Sequence, residues 1–145
     1  MTDAHPLHRF VVAQDAGDTY EAAAAELRAG CKRSHWMWFV FPQISGLGHS
    51  TMSEKYAISS LSEAEAYLAH ATLGPRLLEC THILTELTGL TAQDILGSVD
   101  AIKLRSSMTL FACVAPEESL FGEVLDLYFD GVGDPATEGR LESEE

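Results

Sequence analysis

The chain has 145 residues, 22 of them Asp or Glu and 9 Lys or Arg, for a formal net charge of −13. That length suits one domain, and so acidic a balance argues against bulk nucleic acid or an anionic membrane as partner, since both are bound mainly through an excess of Lys and Arg. With 46% hydrophobic residues the composition also excludes a chain too polar to build a core.

Taken in chain order, the expected elements are helical. The opening Met-Thr-Asp-Ala-His-Pro lacks the basic and apolar regions of a secretion signal, and no stretch of about 18 uninterrupted apolar residues occurs, so a cytoplasmic protein without membrane association is expected. Asp18-Thr-Tyr-Glu21 reads as a variant capping box opening a helix through the alanine run, and Gly30 stands where a helix C′ glycine belongs. Residues 36–41 are all apolar, so periodicity leaves a buried strand and a buried helical turn both open. Ser50 is placed to cap a short helix through Tyr56, and Ser62-Glu-Ala-Glu65 forms another capping box. Gly74-Pro75 opens a helix whose Leu77, Cys80, Leu84 and Leu87 recur at helical spacing. Thr91-Ala-Gln-Asp94 starts a short segment that Gly97 stops. Ala115-Pro116-Glu-Glu opens the last expected helix, with Leu120, Val124, Leu127 and Tyr128 as its apolar stripe.

These elements define an all-α fold class, a single multihelical domain over residues 1–129. Residues 130–145 hold six acids against Arg140 alone, with Gly131, Gly133, Pro135 and Gly139 among them, and are expected to form a flexible acidic tail.

Two segments carry the functional signal. Residues 28–55 are a basic island, with Arg28, Lys32, Arg33 and Lys55 against Glu54 alone. Within it Trp36, Trp38, Phe39 and Phe41 crowd together, edged by Lys32, Arg33 and His35 on one side and by Pro42, Gln43 and the Gly46-Leu-Gly48-His49-Ser50 loop on the other. A rigid apolar element between polar, glycine-rich loops is a common way to build a pocket. The indoles read first as core and second as a face for a ring or cation, and His35 and His49 first as satisfied or exposed histidines and second as acid–base or phosphate-contact groups.

The second segment runs from Asp100 to Val114. Drawn as a helix at about 100° per residue, Leu104, Met108, Leu110, Phe111 and Val114 share one arc that also contains Asp100, Lys103 and Ser107. Arg105 and Thr109 fall on the opposite side. A charge on an apolar face needs a partner, which predicts an Asp100–Lys103 contact at i, i+3 or a ligand supplying the counter-charge.

His35-Trp-Met-Trp-Phe-Val-Phe-Pro-Gln43, Gly46-Leu-Gly48 with Ser50, Ala66-Tyr-Leu68 with Leu73-Gly74, and Lys103-Leu-Arg-Ser-Ser-Met-Thr-Leu-Phe111 together resemble the bacterial family known as domain of unknown function 1810, from about Phe10 to Thr137. The resemblance implies a multihelical domain and therefore a helical Trp36–Phe41. It implies no activity and no catalytic residues. Near the end the family's Asp-x-x-Thr-Leu pattern is replaced by Asp134-Pro-Ala-Thr137-Glu138, which removes an apolar residue that would dock the tail.

The functional expectation is a binding domain, with or without catalysis, for a small anionic ring-containing ligand such as a nucleotide or sugar phosphate. Lys32 and Lys103 supply charge, Trp36 or Trp38 a stacking surface, His35 or His49 a proton or hydrogen bond, and Gln43 and Ser107 orientation. The alternative is a helical protein-interaction or structural module without catalysis, with another protein as partner. No cofactor is expected. Cys31, Cys80 and Cys113 form no CxxC pair, and His5 and His8 lack a third ligand, so no metal is expected.

Overall fold

Helices meet helices throughout the computed structural model, which describes residues 5–143. The elements run α1 (His8–Asp15), a 3-10 turn (Ala16–Asp18), α2 (Thr19–Arg28), α3 (Met37–Val40), α4 (Thr51–Lys55), α5 (Leu61–Ala69), α6 (Leu73–Glu86), α7 (Ala92–Leu96), α8 (Ser98–Val114), α9 (Ser119–Phe129) and α10 (Pro135–Glu142). Among the described residues no strand forms, and the one extended pairing is an isolated parallel bridge between Ile44 and Ile58. No helix among them is long and apolar enough to cross a membrane. Of the aromatic segment expected to be helical, Met37–Val40 form one turn, while Trp36 and Phe41 flank it as caps outside the helical region.

Local chemistry explains most helix ends. Ser50 Oγ accepts from Ser53 N, and Thr91 and Asp94 exchange side-chain and backbone bonds in a complete capping box. At the end of α2, Gly30 N donates to Leu27 O and Cys31 N to Glu26 O, with Gly30 at φ 71°, the left-handed closure a glycine accepts without strain.

Four expectations need correction. Asp18 accepts no capping bond; it sits at φ 59°, because the 3-10 turn leads straight into α2. The cap of α5 is Ser60 rather than Ser62, which frees Glu63 in the first turn to accept from Ser59 N at 2.7 Å and Arg9 Nη1 at 3.1 Å. Helix α9 begins at Ser119, and its inward stripe is Phe121, Val124, Leu125 and Tyr128. Leu127 is 57% exposed on the far side.

The fourth concerns the acidic tail. Residues 135–142 form α10, capped by Asp134, whose carboxylate accepts from Thr137 N at 2.9 Å and from Thr137 Oγ1 at 2.6 Å. Thr137 and Leu141 are buried, so Leu141, one turn after Thr137, supplies the apolar contact missing at Glu138. The tail's Glu144 and Glu145, like Met1–Ala4, lie outside the described residues.

Helix α8 is central, packing against α5, α7, α9 and α10, while α6 packs against α2, α5 and α9. It is buried on more faces than one amphipathic arc would give. Thr109, expected opposite the apolar arc, is buried because its Oγ1 accepts from Asp134 N at 2.9 Å under the segment leading into α10. Arg105, expected there as well, is half-buried and donates from Nε to Val132 O at 2.9 Å. Cys80 lies fully inside α6, where burial pushes its thiol up to about 12, a packing residue rather than a nucleophile.

Candidate functional site

The closure at Gly30 turns the chain back along α2, and Lys32 N then donates to Ile95 O at 2.7 Å, fastening the basic loop to α7. The loop thereby lies beside the first turn of α8. Lys32 Nζ reaches Asp100 Oδ2 at 3.0 Å, and Lys103 Nζ reaches Asp100 Oδ1 at 3.0 Å. One carboxylate is thus shared between two ammonium groups, each taking one oxygen. The three side chains are largely enclosed, at 11% exposure for Lys32 and 17% for Asp100 and Lys103. Burial pushes the Asp100 carboxyl up, but the hydrogen bonds and charges of Lys103 and Lys32 outweigh it and hold it below the usual carboxylate range.

The two indoles form the adjoining wall. Lys103 Nζ stands 3.9 Å from the ring centroid of Trp38, and Lys32 Nζ stands 5.2 Å from that of Trp36, both in cation–π range. Trp36 Nε1 donates to Glu26 Oε1 at 2.9 Å, so this buried indole is held at its polar edge. Glu26 also accepts from Arg33 N, Ser34 N and Ser34 Oγ. Partial burial opposes ionisation of Glu26, yet these bonds bring its carboxyl down to about 2.

Lys32, Asp100, Lys103 and the two indoles border a half-open cavity of about 300 Å³ that His35, Met37 and Met52 also line. Five of the eight residues expected from sequence therefore converge: Lys32, His35, Trp36, Trp38 and Lys103. The other three lie elsewhere. Gln43 lines a second, tight crevice with Gly46, Gly48 and Trp38, and its backbone carbonyl accepts from Ile58 N at 2.8 Å. His49 is exposed ahead of α4. Ser107 is fully buried one turn beyond Lys103, and its Oγ is the buried side-chain polar atom without a hydrogen-bond partner among the described residues. The stacking role is narrower than expected, since ammonium groups already stand over both indole rings.

Sequence reasoning missed the Lys32–Asp100 pair, the thioether wall of Met37 and Met52, and the role of Glu26. The glycine closure signalled a chain reversal but not which residues it would bring together. Among the described residues no three His, Cys, Asp or Glu side chains gather to hold a metal ion.

No curated protein matches the chain. A solved structure does: the conserved hypothetical protein Rv1873 from Mycobacterium tuberculosis, a crystal structure at 1.38 Å, is 48% identical, with a TM-score of 0.93 over 97% of this chain and 99% of that one. The family described as protein of unknown function (DUF1810) matches residues 4–141, the span that carries the Lys–Asp–Lys cluster and both tryptophans. The chain belongs to the DUF1810 family.

Proposed function

We propose that this protein binds a small anionic ring-containing ligand, of the nucleotide or sugar-phosphate kind, in the Lys32–Lys103 cavity. The observation that carries the reading is a local excess of positive charge in an acidic protein: two enclosed lysines share one carboxylate at the wall of a 300 Å³ cavity. Each ammonium has three N–H donors and spends one on Asp100, which leaves donors for a ligand anion. The volume stands at the small end of ligand pockets, suiting a compact ligand with one anionic group. Met37, Met52 and the indole edges offer the ring a polarisable surface, and His35 adds a polar group.

Both tryptophans of the chain line this cavity, so intrinsic fluorescence and calorimetry on the full chain test the reading directly. Nucleotides and sugar phosphates, their monoanionic diesters included, should bind while the uncharged nucleosides and sugars do not. Lys103→Gln should weaken binding about 10- to 100-fold, the loss of one charge-assisted hydrogen bond. Absence of binding across the panel, or an unchanged affinity in Lys103→Gln, would overturn it.

A second reading, a protein-interaction module, draws on Val99 and Ile102, which are 65% and 63% exposed on α8 beside Lys103. An apolar partner there would lose its hold on Val99→Glu and Ile102→Glu variants, whereas a small ligand inside the cavity would not.

A further inference from the structure

We infer that the cavity selects a singly charged anion over a doubly charged one, and that Asp100 sets this preference. The inference rests on the anion-binding reading above.

Lys32 and Lys103 together carry two positive charges, and Asp100 already neutralises one through two contacts of 3.0 Å. A ligand monoanion completes a four-charge cluster of net zero. A dianion must shed far more hydration, a cost that rises with the square of its charge, while its attraction to a site of net charge +1, whose three side chains are at most 17% exposed, rises only in proportion to that charge. Asp100 has no easy way out. It sits in the first turn of the long central helix α8, between the ammonium groups that keep it ionised, so neither a swing aside nor protonation readily makes room for a second ligand charge. The favoured chemical class is therefore a ring bearing a carboxylate or a phosphodiester, cyclic phosphodiesters included, rather than a phosphomonoester dianion.

A matched pair of probes separates the two charges. Nucleoside 5′-monophosphates and their 5′-methyl phosphodiesters share ring and phosphorus and differ by one charge at pH 8, above the second ionisation of the monoester. Titration of the full wild-type chain, followed by tryptophan fluorescence, should show the diester binding about tenfold or more tightly, the scale of one screened unit charge at a few ångströms. In Asp100→Asn, and in Asp100→Ser as a second variant, the monoester should gain at least about tenfold relative to the diester. A wild-type chain that binds the monoester as tightly as the diester would overturn the inference, as would a ratio unchanged in folded Asp100 variants; either result leaves anion binding itself standing. Failure of every probe to bind wild type and variants would overturn both readings.

Discussion

Glu26 stands at the end of the alanine-rich helix α2, yet its carboxylate organises the neighbouring wall of the cavity. It collects two backbone N–H groups, a serine hydroxyl and the Trp36 indole N–H, all within 3.0 Å. Glu26→Ala strands these donors together and should cost about 1–3 kcal/mol, read by urea denaturation at pH 7. The sign of the pH dependence follows from ionisation. The folded-state carboxyl is lowered from its ordinary 4.5 to about 2, so its contribution is present above pH 4.5 and is lost as pH falls toward 2. The lowered Asp100 carboxyl acts in the same direction. Wild type should therefore lose stability steeply on acidification, and Glu26→Ala less steeply over that window. At this scale the sequence was partly legible. The Asp100–Lys103 pair could be foreseen because i, i+3 spacing on a helix is a local matter. Lys32–Asp100 and Glu26–Trp36 could not, because their partners meet only after the chain reverses at Gly30 and docks on α7.

At the scale of elements, glycines show where helices press together and where they do not. Gly74 lies in the first turn of α6, where an added Cβ would stand 2.1 Å from the backbone carbonyl oxygen of Leu68 in α5. That oxygen cannot swing aside as a side chain can, so the two helices must part. Gly139, in the middle of α10, would place a Cβ in open space. Gly74→Ala should destabilise by about 3 kcal/mol, the upper part of the usual overpacking range, whereas Gly139→Ala should stabilise by about 0.5–1 kcal/mol through helix propensity. Thermal denaturation of the two variants side by side checks both signs. Sequence located the α6 start, the short α7 segment between Thr91 and Gly97 and the Gly30 closure, since caps are chemistry within one turn. It misplaced the α5 cap and the start of α9 because competing serines and acids offer several local solutions. Burial of Glu63 against Arg9 and the inward register of Phe121 decide between them.

For the whole molecule the net charge of −13 has two opposed consequences. Spread over a small domain it repels itself, so screening should stabilise the fold. Raising salt from about 10 to 150 mM shortens the Debye length to about 8 Å. A relief of about 1 kcal/mol would then lift Tm by about 3 °C at this chain length. Affinity of the cavity for an anion should fall over the same range, because screening weakens attraction as well as repulsion. Calorimetry of the free protein and ligand titration at the two salt concentrations read the opposite trends.

The sequence by itself determined the helical class, the ends of α4 and α7, the close of α2 at Gly30, the one basic island in an acidic chain and the pairing of Asp100 with Lys103. All of these depend on composition or on neighbours within a turn. Tertiary structure alone decided that α10 docks on α8 through Thr137 and Leu141, although its composition reads as a loose tail. It also decided that Lys32, both tryptophans and Lys103 share one cavity while Gln43, His49 and Ser107 do not. Those outcomes depend on distances between residues far apart in the chain, which periodicity and capping chemistry do not encode. Packing against α8 sets them.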